Sequence, residues 1–257
     1  MKKYTVITGA SSGIGYESAL AFAARGKNLI IVARRTEELE KLKSEIGKLN
    51  SDLDVIIKTA DLSVVKNAYN LYEELKEYEI ETWINNAGFG NFASVGEQNL
   101  EKIESMLNLN IEALTILTSL YVRDYSTVEG TQVINVSSGG GYTIIGNAIT
   151  YCATKFYVSA FTEGLAHELK EKGAKMQAKV LAPAATETEF AKVSYDLEEN
   201  IKFEGVLPKY HTAKEMAGFM LELYDSEKMV GKVDGITYEF QLLDPLYPYA
   251  TRLERQD

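Results

Sequence analysis

The sequence predicts a doubly wound α/β fold, with a mostly parallel sheet of about seven strands and helices on both faces. Short β-rich runs alternate with longer segments of helical periodicity along nearly the whole chain. Such alternation is typical of parallel strands joined by crossover helices. No repeat or linker interrupts the pattern, and 257 residues with 46% hydrophobic content suffice for one full core. We therefore expect a single domain over residues 1–257.

The strands follow from apolar or β-branched runs that end at glycine, small or polar residues. Seven are predicted, in chain order, at residues 4–8, 28–32, 54–58, 82–84, 131–136, 175–181 and 236–241. The clearest later helices are predicted at residues 100–125, 151–172 and 212–223. Residues 188–212 are less periodic and are predicted to be a substrate loop. Residues 242–257 form a C-terminal tail without clear periodicity, which suggests an interface arm or partial disorder.

Composition excludes several classes of function. The formal net charge is −10 and no basic patch stands out, which argues against nucleic acid and anionic membranes as partners. No apolar run approaches the length of a membrane span. With two histidines and one cysteine, a metal site is not expected. A lone Cys152 cannot form an internal disulfide, which fits a reducing, cytoplasmic location.

The first strand runs into a glycine-rich turn and then a helix. Glycines at this point let the backbone approach a ligand, and the N–H groups of the helix N-terminus favour a phosphate. The alternative is a tight strand-to-helix turn without a ligand. We favour cofactor binding by this turn, through Gly9, Ser11, Ser12, Gly13, Ile14 and Gly15.

The end of the second strand predicts which dinucleotide binds. An acidic residue there would accept hydrogen bonds from a free ribose 2′-hydroxyl, whereas arginine accommodates a 2′-phosphate. The chain has Ala33 followed by Arg34 and Arg35. A solvated loop is the alternative, but the residues favour NADP(H) over NAD(H).

Tyr151 and Lys155 are four residues apart and lie on one face of a predicted helix. A neighbouring ammonium favours the phenolate, so we expect the pKa of Tyr151 to fall toward the working pH, as a general acid/base requires. Ser138 follows a strand end and is placed to hold a carbonyl oxygen beside the tyrosine. Taken alone, the Tyr-x-x-x-Lys spacing is more typical of a surface lysine on a helix, and only the other motifs of the chain reverse that preference. Asn110 is a poor residue for the interior of a helix, and its presence predicts either a kink or a polar site.

Together these motifs resemble the short-chain dehydrogenase/reductase family in its single-domain form, over nearly the whole chain. The resemblance rests on Thr8–Gly15, on the Asn-Asn-Ala-Gly block at residues 85–88, and on Ser138, Tyr151 and Lys155. It implies a Rossmann-like fold and a catalytic role for Asn110. It further implies cofactor contacts from Asp61, Leu62, Asn86, Ala87, Gly88, Pro183 and Thr188, besides Tyr151 and Lys155. Asp61 has the alternative of a local cap.

One residue departs from the family pattern. The family usually has Pro-Gly after the sixth strand, whereas this chain has Pro183-Ala184. The additional methyl group is expected to affect the geometry of the loop and not the choice of cofactor. The resemblance also implies a homodimer or homotetramer through the helices at residues 100–125 and 151–172.

The function this implies is reversible hydride transfer between NADP(H) and a small carbonyl or alcohol, with Tyr151 as the general acid/base. Three alternatives stay open: a non-catalytic NADP(H)-binding sensor on the same fold, an epimerase or dehydratase acting on sugar nucleotides, and a structural partner subunit. Apolar residues are expected to line the substrate pocket with the 188–212 loop; they are Phe89, Phe92, Tyr142, Ile144 and Ile145.

Overall fold

The computed structural model describes residues 2–250. Within them the strands are β1 (Lys3–Thr8), β2 (Asn28–Ala33), β3 (Val55–Thr59), β4 (Glu79–Asn85), β5 (Gln132–Val136), β6 (Gln177–Ala182), β7 (Thr186–Glu187), β8 (His211–Thr212), β9 (Val230–Val233) and β10 (Phe240–Leu243). The α-helices are α1 (Gly13–Ala24), α2 (Thr36–Leu49), α3 (Val65–Leu75), α4 (Leu100–Leu107), α5 (Leu114–Tyr125), α6 (Ile149–Glu171), α7 (Phe190–Ser194) and α8 (Ala213–Asp225).

The main sheet has eight strands in the order β10-β9-β6-β5-β4-β1-β2-β3. All neighbouring strands are parallel except β10, which runs antiparallel to β9. The order reverses between β1 and β4, which pair directly. In such sheets ligands bind beyond the carboxyl ends of the strands at this reversal. The predicted site residues follow the carboxyl ends of β1 to β6, or lie on helices that begin there.

Helices cover both faces of the sheet, as the sequence predicts. One hydrophobic cluster joins the sheet to α1, α2 and α8 through buried side chains such as Phe22, Leu42 and Met220. The other joins the opposite face to α3, α5 and α6, around Trp83 and Tyr121. Burial of these apolar faces is the main force that holds the layers together.

The final strand predicted at residues 236–241 is only partly confirmed, because β10 begins at Phe240 and its partner β9 was not predicted. The chain instead forms a hairpin of β9 and β10, joined by a turn in which the Asp234 carboxylate accepts hydrogen bonds from the N–H groups of Ile236 and Thr237. Ile236 is 86% exposed. The β-branched and aromatic residues of 236–241 suggested one strand, but the local Asp234 turn takes up its first half.

The long helix predicted at residues 100–125 is present with one irregularity. A π-helical turn, Asn108–Ala113, joins α4 to α5 and contains Asn110. Such turns insert one residue and re-aim side chains. The asparagine is therefore accompanied by both of the features that its position predicted, an irregular turn and a buried polar site.

Two regions predicted without structure contain ordered elements. In the 188–212 loop, β8 pairs with β7 and α7 lies near the site. Residues 244–250 of the predicted tail lie along α6, where the Tyr249 ring stacks on His167. Residues 251–257 of the tail lie outside the described residues. No helix within residues 2–250 is long and apolar enough to cross a membrane.

Candidate active site

The glycine-rich turn after β1 leaves no room for side chains. Gly9 and Gly13 have φ angles of +68° and +57°, which favour glycine. A Cβ atom at Gly15 would lie 2.4 Å from both Asn86 Nδ2 and Gly9 O, and one at Gly9 would lie 2.8 Å from Ala87 Cα. The turn and residues 86–88 therefore form one tightly packed wall, which we call the cradle (residues 9–15 and 86–88).

Side chains from β1 and from the end of β4 hold the cradle together. The Thr8 hydroxyl accepts hydrogen bonds from the N–H groups of Asn86 and Ala87, at 3.0 and 3.1 Å. The Asn86 amide donates to Thr8 O at 2.9 Å. These bonds join the two strands at the reversal of the sheet order, so the glycine turn and residues 86–88 are fixed relative to each other.

The cradle has the chemistry of an anion site. Helix α1 begins at Gly13, carries no acidic residue in its first turn and, within the described part of the chain, gains no cap hydrogen bond from the Ser12 side chain. Its N-terminal N–H groups therefore face a cleft of about 620 Å³, which Ser11, Ser12, Gly13, Thr188 and Glu189 help to line. A helix N-terminus over closely packed glycines fits the pyrophosphate of a dinucleotide.

The two arginines after β2 occupy different places. Arg35 donates hydrogen bonds to the Ser11 hydroxyl and backbone oxygen, and pairs with the Glu189 carboxylate at 2.8 Å. This guanidinium holds the pKa of Glu189 below its usual value. Arg34 instead lines a second cleft of about 300 Å³ with Asp61. Only Arg35 directly contacts the glycine turn.

Asp61 and Leu62 lie at the end of β3. The Asp61 carboxylate accepts hydrogen bonds from the N–H and hydroxyl groups of Ser63, at 3.0 and 2.7 Å, so it closes a local turn before α3 and does not cap the helix itself. It also lines the second cleft. Leu62 is buried in the core. Residues around this cleft could hold an adenine ring through Asp61 and Arg34.

Tyr151, Lys155 and Ser138 are brought together beyond β5. Tyr151 and Lys155 are each 5% exposed, and the Lys155 Nζ atom lies 5.9 Å from the centroid of the tyrosine ring. Lys155 donates a hydrogen bond to Val136 O at 2.9 Å, which places its ammonium at the end of β5. Ser138 lies at the same end and accepts a hydrogen bond from Gly140 N.

The pKa of Tyr151 is shifted against the sequence-based expectation. Burial raises it above the usual value, and the neighbouring Ser138 hydroxyl opposes only part of that rise. Burial also lowers the pKa of Lys155, to about 8. Burial disfavours the charged form of both groups. This desolvation effect exceeds the attraction between ammonium and phenolate on which the expectation rested.

Asn110 is fully enclosed between the cradle and α6. Its amide exchanges hydrogen bonds with the backbone N–H and oxygen of Phe89 and donates to the Thr154 hydroxyl at 3.1 Å. A Cβ atom at Gly88 would lie 3.0 Å from Asn110 Oδ1 and 3.4 Å from Lys155 Nζ. Gly88 thus allows Asn110, Lys155 and the cradle to meet.

The loop after β6 covers this arrangement. Pro183 O accepts a hydrogen bond from Gly139 N at 2.7 Å, which joins the loop to the Ser138 turn. Ala184 packs at the edge of the core, and its backbone oxygen accepts a hydrogen bond from the Thr186 hydroxyl. Thr188 lies over the glycine turn, because a Cβ atom at Gly13 would be 3.0 Å from its methyl group.

Residues 188–196, which we call the cover, enclose Tyr151 in aromatic side chains. The Phe190 and Phe92 rings lie 5.3 and 6.3 Å from that of Tyr151, and Tyr195 stacks on Phe92 at 4.6 Å. Of the predicted pocket residues, Phe89 and Phe92 belong to this cluster. Ile144 is 68% exposed and does not line an enclosed pocket.

Sequence reasoning missed the polar groups that fasten the cover. Lys102 on α4 donates to Val193 O and to the Asp196 carboxylate, both at 2.7 Å, and Glu189 pairs with Arg35. It also missed a buried amide network, in which Asn85 donates to Asn135 and Thr118. The two members of each of these contacts lie far apart in the chain, so they leave no local signal in the sequence. Among residues 2–250, no cluster of three metal-ligating side chains occurs.

Comparison with known proteins agrees with this arrangement. A family model described as short chain dehydrogenase matches residues 3–199. An uncharacterized oxidoreductase of Staphylococcus saprophyticus is 30% identical over 194 residues, which are 73% of this chain and 75% of that protein. The dehydrogenase/reductase SDR family member 11 of Homo sapiens is 29% identical over 195 residues, 74% of this chain and 75% of that one.

Solved structures with the same fold include two oxidoreductases. A short-chain dehydrogenase from Sphingobium yanoikuyae in complex with NADPH has a TM-score of 0.79 at 30% identity, covering 89% of this chain and 86% of its own. A bulky-bulky ketone specific alcohol dehydrogenase from Comamonas testosteroni has a TM-score of 0.76 at 28% identity, covering 88% and 84%. Fold, ordered motifs and family match together show that this chain belongs to the short-chain dehydrogenase family.

Proposed function

We propose that the protein is an NADP(H)-dependent oxidoreductase that reversibly interconverts a carbonyl and an alcohol, with Tyr151 as the general acid/base. The observation that carries the proposal is the placement of the buried Tyr151 and Lys155 beside the half-buried Ser138, at the edge of the sheet that also carries the glycine cradle. The bound nicotinamide would supply or accept the hydride. The protein's side chains would bind and orient the substrate and transfer the proton.

In the reducing direction, Tyr151 is the proton donor. Its raised pKa keeps the phenol protonated at neutral pH, so the proton is available to a carbonyl oxygen as negative charge develops there. The Ser138 hydroxyl is proposed to donate a second hydrogen bond to the same oxygen. Lys155, still largely protonated at neutral pH with a pKa of about 8, stabilises the phenolate that remains.

Asn110 is proposed to support proton exchange between Lys155 and solvent. It lies beside Gly88 and Lys155, and its amide holds the backbone of Phe89 on the cradle side of the site. Replacement of Asn110 by leucine would leave the Phe89 N–H and the Phe89 oxygen without these partners.

The choice of NADP(H) rests on Arg35. Its guanidinium contacts Ser11 in the glycine turn, where a 2′-phosphate would reach it from the adenosine ribose. Arg34 and Asp61 are proposed to flank the adenine. The NADPH complex of the Sphingobium yanoikuyae relative supports the same cofactor class. Gly9, Ser12, Ile14 and Gly15 are proposed to bind the pyrophosphate, with Thr188 and Pro183 at the nicotinamide.

The substrate is proposed to be an apolar carbonyl compound or its alcohol. The space around the Tyr151 ring is bounded by Phe92, Phe190 and Tyr195, which offer apolar contact and no charge to a substrate. The name of the Comamonas testosteroni relative, specific for bulky-bulky ketones, supports the class. We also propose a homodimer or homotetramer in the cytoplasm.

The decisive experiment measures NADPH oxidation with a panel of apolar aldehydes and ketones, for the wild type and for Tyr151→Phe. Loss of the acid/base group should lower kcat by about a thousandfold or more, within the range of 10² to 10⁴ expected for general acid–base catalysis. Binding of NADPH, followed by its fluorescence, should change little. Tyr157→Phe is the matched control, because Tyr157 lies on the same helix and contacts Thr115 instead of the site.

Two outcomes would contradict the proposal. Near-wild-type turnover in Tyr151→Phe would exclude this residue as the acid/base. Tight NADPH binding without turnover of any panel member would favour a cofactor-binding sensor.

A further inference from the structure

Tyr151 and Lys155 begin a row of side chains along one face of α6. Ser159 and Glu163 follow at the same spacing of four residues, and all four are at least 95% buried. Ser159 shares a hydrogen bond of 2.7 Å with the Ser137 hydroxyl, which itself donates to Lys155 O at 2.9 Å. The row therefore continues from the reacting groups into the interior, where Glu163 ends it.

Glu163 is a buried carboxylate on which three donors converge. The Tyr142 hydroxyl donates to Oε1 at 2.6 Å, and the backbone N–H groups of Leu246 and Tyr247 donate to Oε2 at 2.5 and 2.9 Å. Within residues 2–250 no lysine, arginine or histidine forms a salt bridge with it. A buried carboxylate is held here by hydrogen bonds alone, which makes each of the three donors important to its stability.

These donors belong to two separate segments. Tyr142 ends the serine loop (residues 138–142), whereas Leu246 and Tyr247 belong to the C-terminal segment (residues 244–250). The two segments also contact each other directly, since the Tyr247 hydroxyl donates to Gly141 O at 2.6 Å and its ring stacks on that of Tyr142 at 5.5 Å. Glu163 is the point where the serine loop, the C-terminal segment and α6 meet.

The serine loop is also restrained by contacts other than those with Glu163 and the C-terminal segment. At its start, Gly139 N donates to Pro183 O. In its middle, a Cβ atom at Gly141 would lie 2.6 Å from both Lys155 O and Ser159 Oγ, so the backbone rests on α6 itself. At its end, the Tyr142 ring lies between Tyr247 and the Lys232 ammonium, which is 5.3 Å from its centroid. Release of Tyr142 would free the end of the loop that follows Ser138.

We propose that Glu163 is a positioning residue, which clamps the C-terminal segment and the serine loop onto α6 and so holds the Ser138 hydroxyl in register with Tyr151. The inference rests on the proposed function of Ser138 and Tyr151. Reacting groups must be held to within a fraction of an ångström, and a displacement of about 1 Å can lower a rate about a hundredfold. Three residues outside the reacting groups, Glu163, Tyr142 and Tyr247, thus set the geometry of the site.

Glu163→Ala and Glu163→Gln test the clamp. The alanine variant leaves three donors without an acceptor, and we expect kcat for a reducible panel carbonyl to fall about tenfold to a hundredfold, while NADPH affinity stays within about twofold. Glutamine keeps one oxygen for the two backbone N–H groups and can donate its amide to the Tyr142 hydroxyl oxygen. Glu163→Gln should therefore restore most of kcat.

A matched control separates the clamp from general contact with the C-terminal segment. Glu171 lies on the same helix and accepts a hydrogen bond from Tyr249 of the same segment, but its side chain is exposed and remote from the serine loop. Glu171→Gln should leave kcat unchanged. Should Glu163→Ala fail to fold, Tyr247→Phe removes only the bond to Gly141 O and keeps the ring stack. It should lower kcat about two- to fivefold.

Amide hydrogen exchange gives a readout that needs no turnover. In Glu163→Ala, exchange should accelerate in peptides covering residues 138–147 and 244–250, and stay unchanged in the glycine turn. This effect would support the clamp even if no carbonyl in the panel were reduced, a result that would count against the proposed function alone. Unchanged exchange with unchanged kcat would overturn the clamp. Equal losses of kcat, NADPH affinity and melting temperature in both Glu163 variants would also overturn it, in favour of a general structural role.

Discussion

The cradle and the cover lie at the same edge of the sheet, beside Tyr151, and they are held by different kinds of contact. The cradle is fixed by backbone groups packed at distances that leave no space for a methyl group, as at Gly15. The cover is fastened by ion pairs whose side chains reach solvent: Arg35 and Glu189 are 46% and 40% exposed. The cradle is held by close backbone packing and by the buried hydrogen bonds of Thr8 and Asn86, whereas the cover is fastened in part by exposed ion pairs.

The contrast indicates which part of the site is rigid and which part is held less firmly. Close packing in the cradle resists displacement, because any movement breaks several buried contacts at once. Exposed ion pairs contribute only about 0 to 1 kcal/mol each, so the Arg35–Glu189 pair can separate at little cost. The Arg35–Glu189 pair therefore adds little to the attachment of the cover.

The test with the largest expected effect breaks the cradle. In Gly15→Ala the added methyl group would meet Asn86 and Gly9 O at 2.4 Å, and overpacking of this kind costs about 1 to 3 kcal/mol or more. We expect the free energy of unfolding to fall by about 3 kcal/mol and NADPH binding to be lost. Urea denaturation and NADPH fluorescence measure the two effects.

Gly47→Ala is the control, because nothing lies within 4 Å of a Cβ atom at this position in α2. It should stabilise the protein by about 0.5 to 1 kcal/mol. A Gly15→Ala variant as stable as Gly47→Ala would refute the tight packing of the cradle.

The second test uses the burial of Lys155 beside the cradle. Its pKa is about 8 in the folded protein, below the 10.5 of an exposed lysine. Between these values the unfolded chain binds a proton that the folded chain does not, so the free energy of unfolding rises with pH. Lys155→Met should remove about 1 to 2 kcal/mol of that rise between pH 8 and pH 10, measured by urea denaturation.

Two other lysines serve as comparisons for that result. Lys179 is also buried, with a pKa of about 8, and its contribution to the rise should remain in Lys155→Met. Glu38 raises the pKa of the exposed Lys41, whose contribution to stability is lost only at higher pH. Lys41→Met should leave the slope between pH 8 and pH 10 unchanged. An equally steep slope in Lys155→Met would show that Lys155 stays protonated over this range.

The smallest expected effect concerns the cover. If NADP(H) binds as proposed, its 2′-phosphate and the Glu189 carboxylate compete for the Arg35 guanidinium. Glu189→Gln should therefore bind NADPH about two- to fivefold more tightly, as expected from the loss of one exposed ion pair, and NADH as before. Titration with both nucleotides at fixed ionic strength measures the difference.

Asp225→Asn is a suitable control, because it removes a similarly exposed ion pair, with Arg25, at 2.9 Å. Neither nucleotide should respond to that change. Equal gains for NADPH and NADH in Glu189→Gln would mean that Arg35 does not meet the 2′-phosphate.

Local patterns in the sequence predicted most of the fold. Strands and helices that bury one apolar face place their apolar residues at regular intervals. That periodicity can be recognised in the sequence. The error at residues 236–241 also has a local physical reason. The Asp234 turn outweighs the strand propensity of Ile236, and the edge hairpin is completed by pairing with β9.

The family, the order of the motifs and the candidate reacting groups could all be identified from the sequence without a structure. Each of these depends on residues close together in the chain, such as the glycines after β1 or the spacing from Tyr151 to Lys155. Glu163 lies at the same spacing of four residues, but the sequence reveals only its position. The role that we propose for it depends on residues more than 80 positions away.

Which charged groups meet, and how far they are shielded from solvent, could be learned only from the folded chain. It placed Arg35, and not Arg34, on the glycine turn, paired it with Glu189, and brought the C-terminal segment to Glu163. It also reversed the expected pKa shift of Tyr151, because the energy of charging a phenol depends on burial by distant segments. The electrostatics of the site depends on contacts between residues that are remote in the chain. Such contacts produce no periodic pattern in the sequence.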